Sequence, residues 1–356
     1  MKILIATGGT GGHIYPALDL ASIIKEKDKE AEIIFFGSNL RMESTVIPEK
    51  GYKFYGYDVK TTRGGIASKV SSLLSIFKAR NYCVSFLKKE KPDCVIGFGN
   101  YISIPVILAA HKLHIPILLH EQNSFVGKAN VLLSRYAKKV IGCYENNKNQ
   151  VNEDKFLLLG NPSATIASNT KLNEAYIKSL NIDRNKPLVS IMLGSLGSAS
   201  VSSVIDEALS KIDDDIQVLI AIGKDNDYTY KNTNKDNIKV VDFLDGKQAL
   251  LISDLAITRA GATTIAEICA LGTPSIIIPS PYVANNHQFY NANELAKKDA
   301  CILIEEKDLN SDVLAKKVNE LIKDKEKLTE IHDNVLKLGY PNAGYDIYKC
   351  IKDVIG

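Results

Sequence analysis

Short apolar runs alternate with helical stretches along the whole chain, and glycine-rich turns follow several of those runs. Parallel strands cannot be joined by tight turns; each needs a crossover, usually a helix, so this alternation points to parallel sheets covered on both faces. Residues 3–6 read as a first strand. Residues 15–27 read as the helix after it, with Leu18, Ala21 and Ile24 at helical spacing. Residues 33–36 and 94–98 are further buried-type strands, and 117–119 and 140–141 continue the series. The pattern restarts at Pro187, with a strand at 188–193, a glycine turn at 194–197 and a helix at 201–211. Strands at 218–222, 238–241, 255–258 and 275–278 follow. Between the two series lies the polar segment 160–186, which holds the turn signal Asn161-Pro162. The expected division is residues 1–160, residues 161–342 and a terminal amphipathic helix within 343–356.

A chain of 356 residues suits two such domains and can bury large cores without metal or disulfide clips. With 44 Lys and Arg against 41 Asp and Glu, the net charge of +3 is too small for a nucleic-acid binder. The sum hides an asymmetry. Residues 1–160 carry 22 basic against 14 acidic side chains, and residues 161–356 carry 22 against 27, so only the first half offers a basic surface to something anionic. The six cysteines form no Cys-x-x-Cys pair, which argues against a zinc ribbon or a thioredoxin-like site and fits scattered thiols in a reducing cytoplasm. The first apolar run is too short for a signal peptide, and no stretch reaches the ~18 apolar residues of a membrane span.

The first strand runs into Gly8-Gly9-Thr10-Gly11-Gly12-His13 and then a helix. A glycine loop there lets backbone approach a phosphate, and the helix start adds N–H groups and about half a positive charge. The loop lacks the Gly-Lys-Ser/Thr of a Walker motif, and Ile14 replaces the third glycine of the dinucleotide fingerprint. By itself it serves a ligand or simply makes a tight turn. Four more segments lie at the carboxyl ends of expected strands: Gly97-Phe98-Gly99-Asn100-Tyr101; His120-Glu121-Gln122-Asn123, with Asn130 seven residues on; Gly194-Ser195-Leu196-Gly197; and Arg259-Ala260-Gly261-Ala262-Thr263-Thr264-Ile265-Ala266-Glu267. That edge is where open parallel sheets bind ligands.

This set, with Arg41-Met42-Glu43, resembles the family of UDP-N-acetylglucosamine:lipid I N-acetylglucosaminyltransferases, the MurG family, from residue 3 to about residue 300. The resemblance implies a GT-B fold, two Rossmann-like doubly wound α/β domains facing a central cleft. It implies an acceptor side on residues 1–160, UDP-sugar mainly on residues 161–342, and a last helix that packs back on the first domain. It also implies UDP-N-acetylglucosamine and lipid I as substrates, no metal or other cofactor, no nucleic acid, and a peripheral place on the cytoplasmic face of the plasma membrane.

Carried over by position, His13 is the candidate general base, since imidazole titrates near neutrality. Glu121 either orients His13 or binds acceptor. Thr10, Gly11 and Gly12 match phosphate and sugar contacts; Tyr101, Asn123 and Asn130 match polar residues of the cleft, with Asn123 on the donor side. Ser195 matches a donor contact. Ala262, Thr263, Thr264, Ile265, Ala266 and Glu267 match the stretch that holds the nucleotide, with Glu267 placed to accept both ribose hydroxyls. Leu244 matches the backbone position that pairs with uracil, and Gln288 a side chain that reads sugar hydroxyls. Two positions depart from the family: Ala164 stands where an arginine is usual, and Leu196 where a glutamine is usual. They keep open a UDP-sugar-binding protein without turnover; another GT-B enzyme, such as a glycolipid glycosyltransferase or an epimerase, is a second alternative, against which His-Glu-Gln-Asn argues. Asp213-Asp214-Asp215 precedes its strand, the wrong sheet edge for a metal site, and reads as a solvated turn. Residues 60–91 hold eight basic side chains and one acid, with Val70, Leu73, Leu74 and Phe77 at i, i+3, i+4, i+7, a stripe that serves either the core or an anionic membrane surface.

Overall fold

A computed structural model describes residues 1–57, 66–194, 198–223 and 228–356, with the side chains of 66–74 also outside the description. The chain falls into two compact units, Met1–Thr165 with Asn342–Gly356, and Ile166–Pro341.

In the first unit the described strands are β1 (Lys2–Ala6), β2 (Glu32–Gly37), β3 (Lys53–Gly56), β4 (Cys94–Gly97), β5 (Ile117–Glu121), β6 (Lys139–Gly142) and β7 (Phe156–Leu158). They form one parallel sheet in the order β3-β2-β1-β4-β5-β6-β7. Alternation along each strand fills two cores. Leu4, Ala6, Ile34, Phe36, Val95 and Leu119 face one side; Ile3, Ile5, Ile33, Phe35, Ile96 and Leu118 face the other. Both faces are apolar because both are covered by helices, so the strands read as continuous hydrophobic runs. The order reverses beside β1, where the chain crosses from β3 to β4 on its far side. Such a switch point opens a crevice at the carboxyl ends of β1 and β4.

The second unit repeats the plan with β8 (Leu188–Met192), β9 (Gln217–Ala221), β10 (Ile238–Val241), β11 (Leu255–Thr258), β12 (Ser275–Ile277) and β13 (Ile302–Leu303), in the order β10-β9-β8-β11-β12-β13. Val189, Ile191, Val218, Ile220 and Ile257 build its main core. Its switch point lies between β8 and β11.

The terminal helix Ala343–Ile355 belongs to the first unit: Ile347, Cys350 and Ile351 join the cluster of Ile14, Ala17, Leu18 and Ile24 on helix Gly11–Lys27. The approach is close. A Cβ on Gly344 would lie 2.2 Å from Ile23 Cδ1, and Gly344 N–H donates to Thr165 Oγ1 at 2.9 Å.

Helix Gly11–Lys27 starts four residues earlier than the apolar spacing predicts. Gly11 and Gly12 are poor helix formers and carry no apolar side chain, so periodicity could not register the first turn. The edge strands β3, β7 and β13, of four, three and two residues, escaped the sequence reading for the same kind of reason: runs this short carry no period.

Candidate active site

In the first unit the glycine loop is held open by two side chains from elsewhere. Glu43, fully buried, accepts from Gly9 N–H at 3.1 Å and from Ser38 N–H at 3.1 Å. Asn100 Nδ2 donates to the Gly8 carbonyl at 3.1 Å. Any Cβ on Gly9 would sit 2.1 Å from that nitrogen, and Gly9 has a φ of +91°, so both the space and the backbone require glycine. Thr10 takes the N-cap position but its hydroxyl does not cap the helix. The first-turn amides of Gly11 and Gly12 therefore lack that partner, as an anion site at a helix start requires.

His13 stands in this first turn, its carbonyl accepting from Thr7 Oγ1 at 2.9 Å. Gly99, at a φ of +84°, brings the second glycine loop against its ring: a Cβ there would lie 3.5 Å from His13 Cε1 and 3.3 Å from Asn130 Nδ2. The structure thus brings together the glycine loop, His13 and Asn130.

Of the two roles left open for Glu121, orienting His13 or binding acceptor, the first has no bond to carry it, because Glu121 reaches into its own turn. Its buried carboxylate accepts from Asn123 N–H at 3.1 Å, Asn123 Nδ2 at 3.2 Å, Gly127 N–H at 3.0 Å and Asn130 Nδ2 at 2.9 Å. Those bonds shape the turn after β5 and leave the carboxylate spent on its own loop. The group beside His13 is Gln122, whose Oε1 lies 2.8 Å from His13 Nδ1. Gln122 sits inside the quoted His-Glu-Gln-Asn motif, yet its partner is 109 residues away in sequence, so no local signal exposes it. Asn130 also donates to the His120 carbonyl at 3.1 Å, while its Oδ1 is buried without a partner. Tyr101 is half-buried at the start of a short 3-10 turn, its ring packed on the core.

His120 is fully buried. Desolvation, only partly offset by the Gly160 carbonyl, pulls its pKa from 6.5 down to about 4. Between those values the unfolded chain binds a proton that the folded chain does not, so stability falls as pH drops from 6.5 toward 4. The loss is on the order of 3 kcal/mol. Urea unfolding at pH 7 and at pH 4.5 should show it. The difference should shrink in His120→Gln; an equal pH dependence in wild type and variant would assign it elsewhere.

In the second unit, β11 leads into Arg259, whose guanidinium donates to the Ile278 carbonyl at 3.1 Å and to Glu306 at 2.6 Å. This nearly buried pair ties down the turn that opens helix Ala262–Leu271. Ala262 and Ile265 face the core. Thr263, Thr264, Ala266 and Glu267 are half-buried, and Thr263 Oγ1 has no hydrogen-bond partner. Glu267 lies 3.4 Å from Lys247 Nζ. Leu244 is buried against Leu188, Leu219 and Ala249, which leaves only its backbone for a ligand. Gln288 Oε1 accepts from Ser280 N–H at 2.8 Å, fixing the direction of its amide. Ser195 and Leu196 lie outside the described residues. Ala164 is 1% exposed in helix Pro162–Asn169.

The Asp213 turn is engaged: Asp213 pairs with Lys323 and Asp214 with Lys235 at 2.7 Å. Among the described residues no group of three His, Cys, Asp or Glu is placed to hold a metal ion.

Two parallel α/β units, each with glycine turns at the carboxyl edge of its sheet, are the plan of a GT-B protein. Residues 3–141 match the glycosyltransferase family 28 N-terminal domain and residues 188–343 the family 28 C-terminal domain. The UDP-N-acetylglucosamine–N-acetylmuramyl-(pentapeptide) pyrophosphoryl-undecaprenol N-acetylglucosamine transferase of Finegoldia magna is 36% identical, over 98% of this chain and 96% of its own. The enzyme of the same name from a Thermoanaerobacter species is 38% identical over 99% and 100%. The crystal structure of Acinetobacter baumannii MurG superposes with a TM-score of 0.80 at 25% identity, covering 99% of each chain. The chain belongs to glycosyltransferase family 28, among these N-acetylglucosamine transferases.

Proposed function

We propose that the chain transfers N-acetylglucosamine from UDP-N-acetylglucosamine to the C4 hydroxyl of the N-acetylmuramoyl residue of lipid I, with inversion, giving lipid II for peptidoglycan. Relatives that share a third or more of its residues are named for N-acetylglucosamine transfer between UDP-N-acetylglucosamine and the N-acetylmuramyl-pentapeptide pyrophosphoryl-undecaprenol. The observation on this chain that carries the reading is His13, set in the first turn after an opened glycine loop with Gln122 behind it. In the proposed reaction the acceptor hydroxyl attacks the anomeric carbon, UDP leaves, and His13 takes the hydroxyl proton as that bond forms. The first unit would bind acceptor, with Tyr101 and Asn130 around it, with Asn123 on the donor side and with Thr10, Gly11 and Gly12 meeting phosphate or sugar. The second unit would bind donor. Thr263 and Thr264 meet the diphosphate at their helix start, Glu267 accepts the ribose hydroxyls, the Leu244 backbone pairs with uracil and Gln288 reads the sugar. Ser195 completes the donor set. Helix starts that met the leaving diphosphate would stabilise its growing charge, so the reading needs no metal. An acceptor comparison tests it: label from UDP-N-acetylglucosamine should pass to a lipid I analogue and not to diacylglycerol. Transfer to diacylglycerol instead would move the chain to the glycolipid enzymes.

Lipid I is held in a bilayer by its polyprenyl chain, so the enzyme must reach a membrane surface. No helix among the described residues is long and apolar enough to span one. We place peripheral docking, on the cytoplasmic face, at helix Ile66–Glu90. Ala79, Cys83, Val84, Phe86 and Leu87 are spent on the core. Phe77 and Tyr82 are exposed, at 49% and 48%, and Lys78, Lys88 and Lys89 are exposed with them. Lys60 and Arg63 fall outside the described residues, as do the side chains of Lys69, Val70, Leu73 and Leu74. Each basic residue near an anionic surface contributes roughly 1 kcal/mol, screened by salt. The chain should co-sediment with anionic vesicles at low salt, and less with neutral ones or at high salt. Changing Lys69, Lys78, Arg80, Lys88 and Lys89 to Gln should remove the difference. Equal binding to both vesicle types would contradict this surface.

A further inference from the structure

The hydrogen bonds behind His13 form a chain anchored on one backbone carbonyl, and that anchor settles every proton along it. Gly160 holds its carbonyl toward His120 from a φ of +84°, a conformation suited to glycine. His120 Nε2 lies 3.0 Å from that oxygen. A carbonyl only accepts, so Nε2 carries the hydrogen. The ring is buried and neutral, which leaves Nδ1 an acceptor. The Gln122 atom 2.9 Å from that Nδ1 must then donate, so it is the amide nitrogen; the second hydrogen on this nitrogen goes to the His120 carbonyl at 3.2 Å. The amide is now oriented, and Oε1 is the atom that faces His13 Nδ1 at 2.8 Å. An amide oxygen also only accepts, so His13 Nδ1 carries the hydrogen and Nε2 keeps the lone pair. Phe98 stacks on the His120 ring, centroids 4.9 Å apart, and holds its plane. Gln122 and His120 are 1% and 0% exposed, so no bulk water competes along the chain.

We infer that Gln122, oriented by His120 and the Gly160 carbonyl, is a positioning residue that locks His13 in the Nδ1–H tautomer and so presents Nε2 as the base. A free histidine side chain in water prefers the other tautomer, Nε2–H, whose lone pair on Nδ1 would point into the protein at Gln122 and leave none on Nε2 for the acceptor hydroxyl. A histidine base held in the wrong tautomer loses most of its activity even when its position is kept. Gln122 supplies a neutral oxygen where serine hydrolases use a carboxylate, so it fixes direction without adding charge beside the ring.

The kinetic part of the test rests on the reading of His13 as base; the spectroscopic part does not. Long-range 15N–1H spectra of the protein labelled at histidine nitrogen distinguish protonated from unprotonated ring nitrogens, with the His13 signals assigned from His13→Ala. Wild type should show Nδ1 protonated and Nε2 unprotonated at His13. Gln122→Met, of similar volume without polar atoms, should shift His13 toward Nε2–H. It should also lower kcat by about 10- to 100-fold, the cost of losing the partner that orients a metal-bound histidine carried over to a base, with KM for UDP-N-acetylglucosamine unchanged. Gln122→Glu keeps an acceptor beside His13 Nδ1 and should retain the Nδ1–H form. Wild-type His13 found as Nε2–H would overturn the inference without any variant. So would Gln122→Met that keeps both the wild-type tautomer and kcat. The expected tautomer combined with full activity in His13→Ala would leave the lock standing and remove the base.

Discussion

His13→Ala should lower kcat by about 10²- to 10⁴-fold, the range for a lost general base, with donor affinity largely kept. The variant separates chemistry from folding. His13 is half-buried, and removing its ring leaves the Gln122 oxygen without its partner at 2.8 Å. An orphaned buried acceptor costs about 1–3 kcal/mol, a burden that a chain with cores on both faces of two sheets can carry. The glycine loop itself keeps its supports, because Glu43 and Asn100 hold it from other segments. Acceptor hydroxyls are poor nucleophiles until a proton leaves, so the loss should fall on kcat. A kcat within a few-fold of wild type would make His13 a loop residue.

Glu267→Ala should weaken UDP binding by about 5- to 150-fold, the equivalent of 1–3 kcal/mol for ribose hydroxyls left without their acceptor. The carboxylate stands one turn into helix Ala262–Leu271, 13% exposed, with Lys247 Nζ at 3.4 Å. The lysine is partly exposed, so the pair adds little to stability and its loss should not unfold the unit. Calorimetry with UDP alone reads the effect without an acceptor. Unchanged affinity would mean that Glu267 serves Lys247 and not the nucleotide.

The fold class was legible because both sheets are buried on both faces. Continuous runs such as 3–6 and 255–258, separated by helical spacing, have no other economical explanation. The glycine loops were legible too, since Gly9 stands where positive φ and close approach both forbid a side chain and Gly99 where positive φ favours glycine. What the sequence hid was pairing at a distance. Glu43, Asn100 and Gln122 work through partners 34, 92 and 109 residues away, and periodicity carries no trace of such contacts. The motif around residue 120 was recognisable, but the roles within it were not: adjacent positions 121 and 122 alternate sides of a chain leaving a strand, and one carboxylate looks as suitable for a histidine as one amide. Geometry separates them, giving Glu121 to its own turn and Gln122 to His13.

Incubation with UDP-N-acetylglucosamine radiolabelled in the sugar, together with a soluble lipid I analogue, tests the proposed activity most directly. The expected result is one label in β-linked disaccharide product for each UDP released, abolished when the acceptor is left out. Release of free labelled sugar, conversion of the donor to its 2-epimer, or binding of UDP without any turnover would each contradict it.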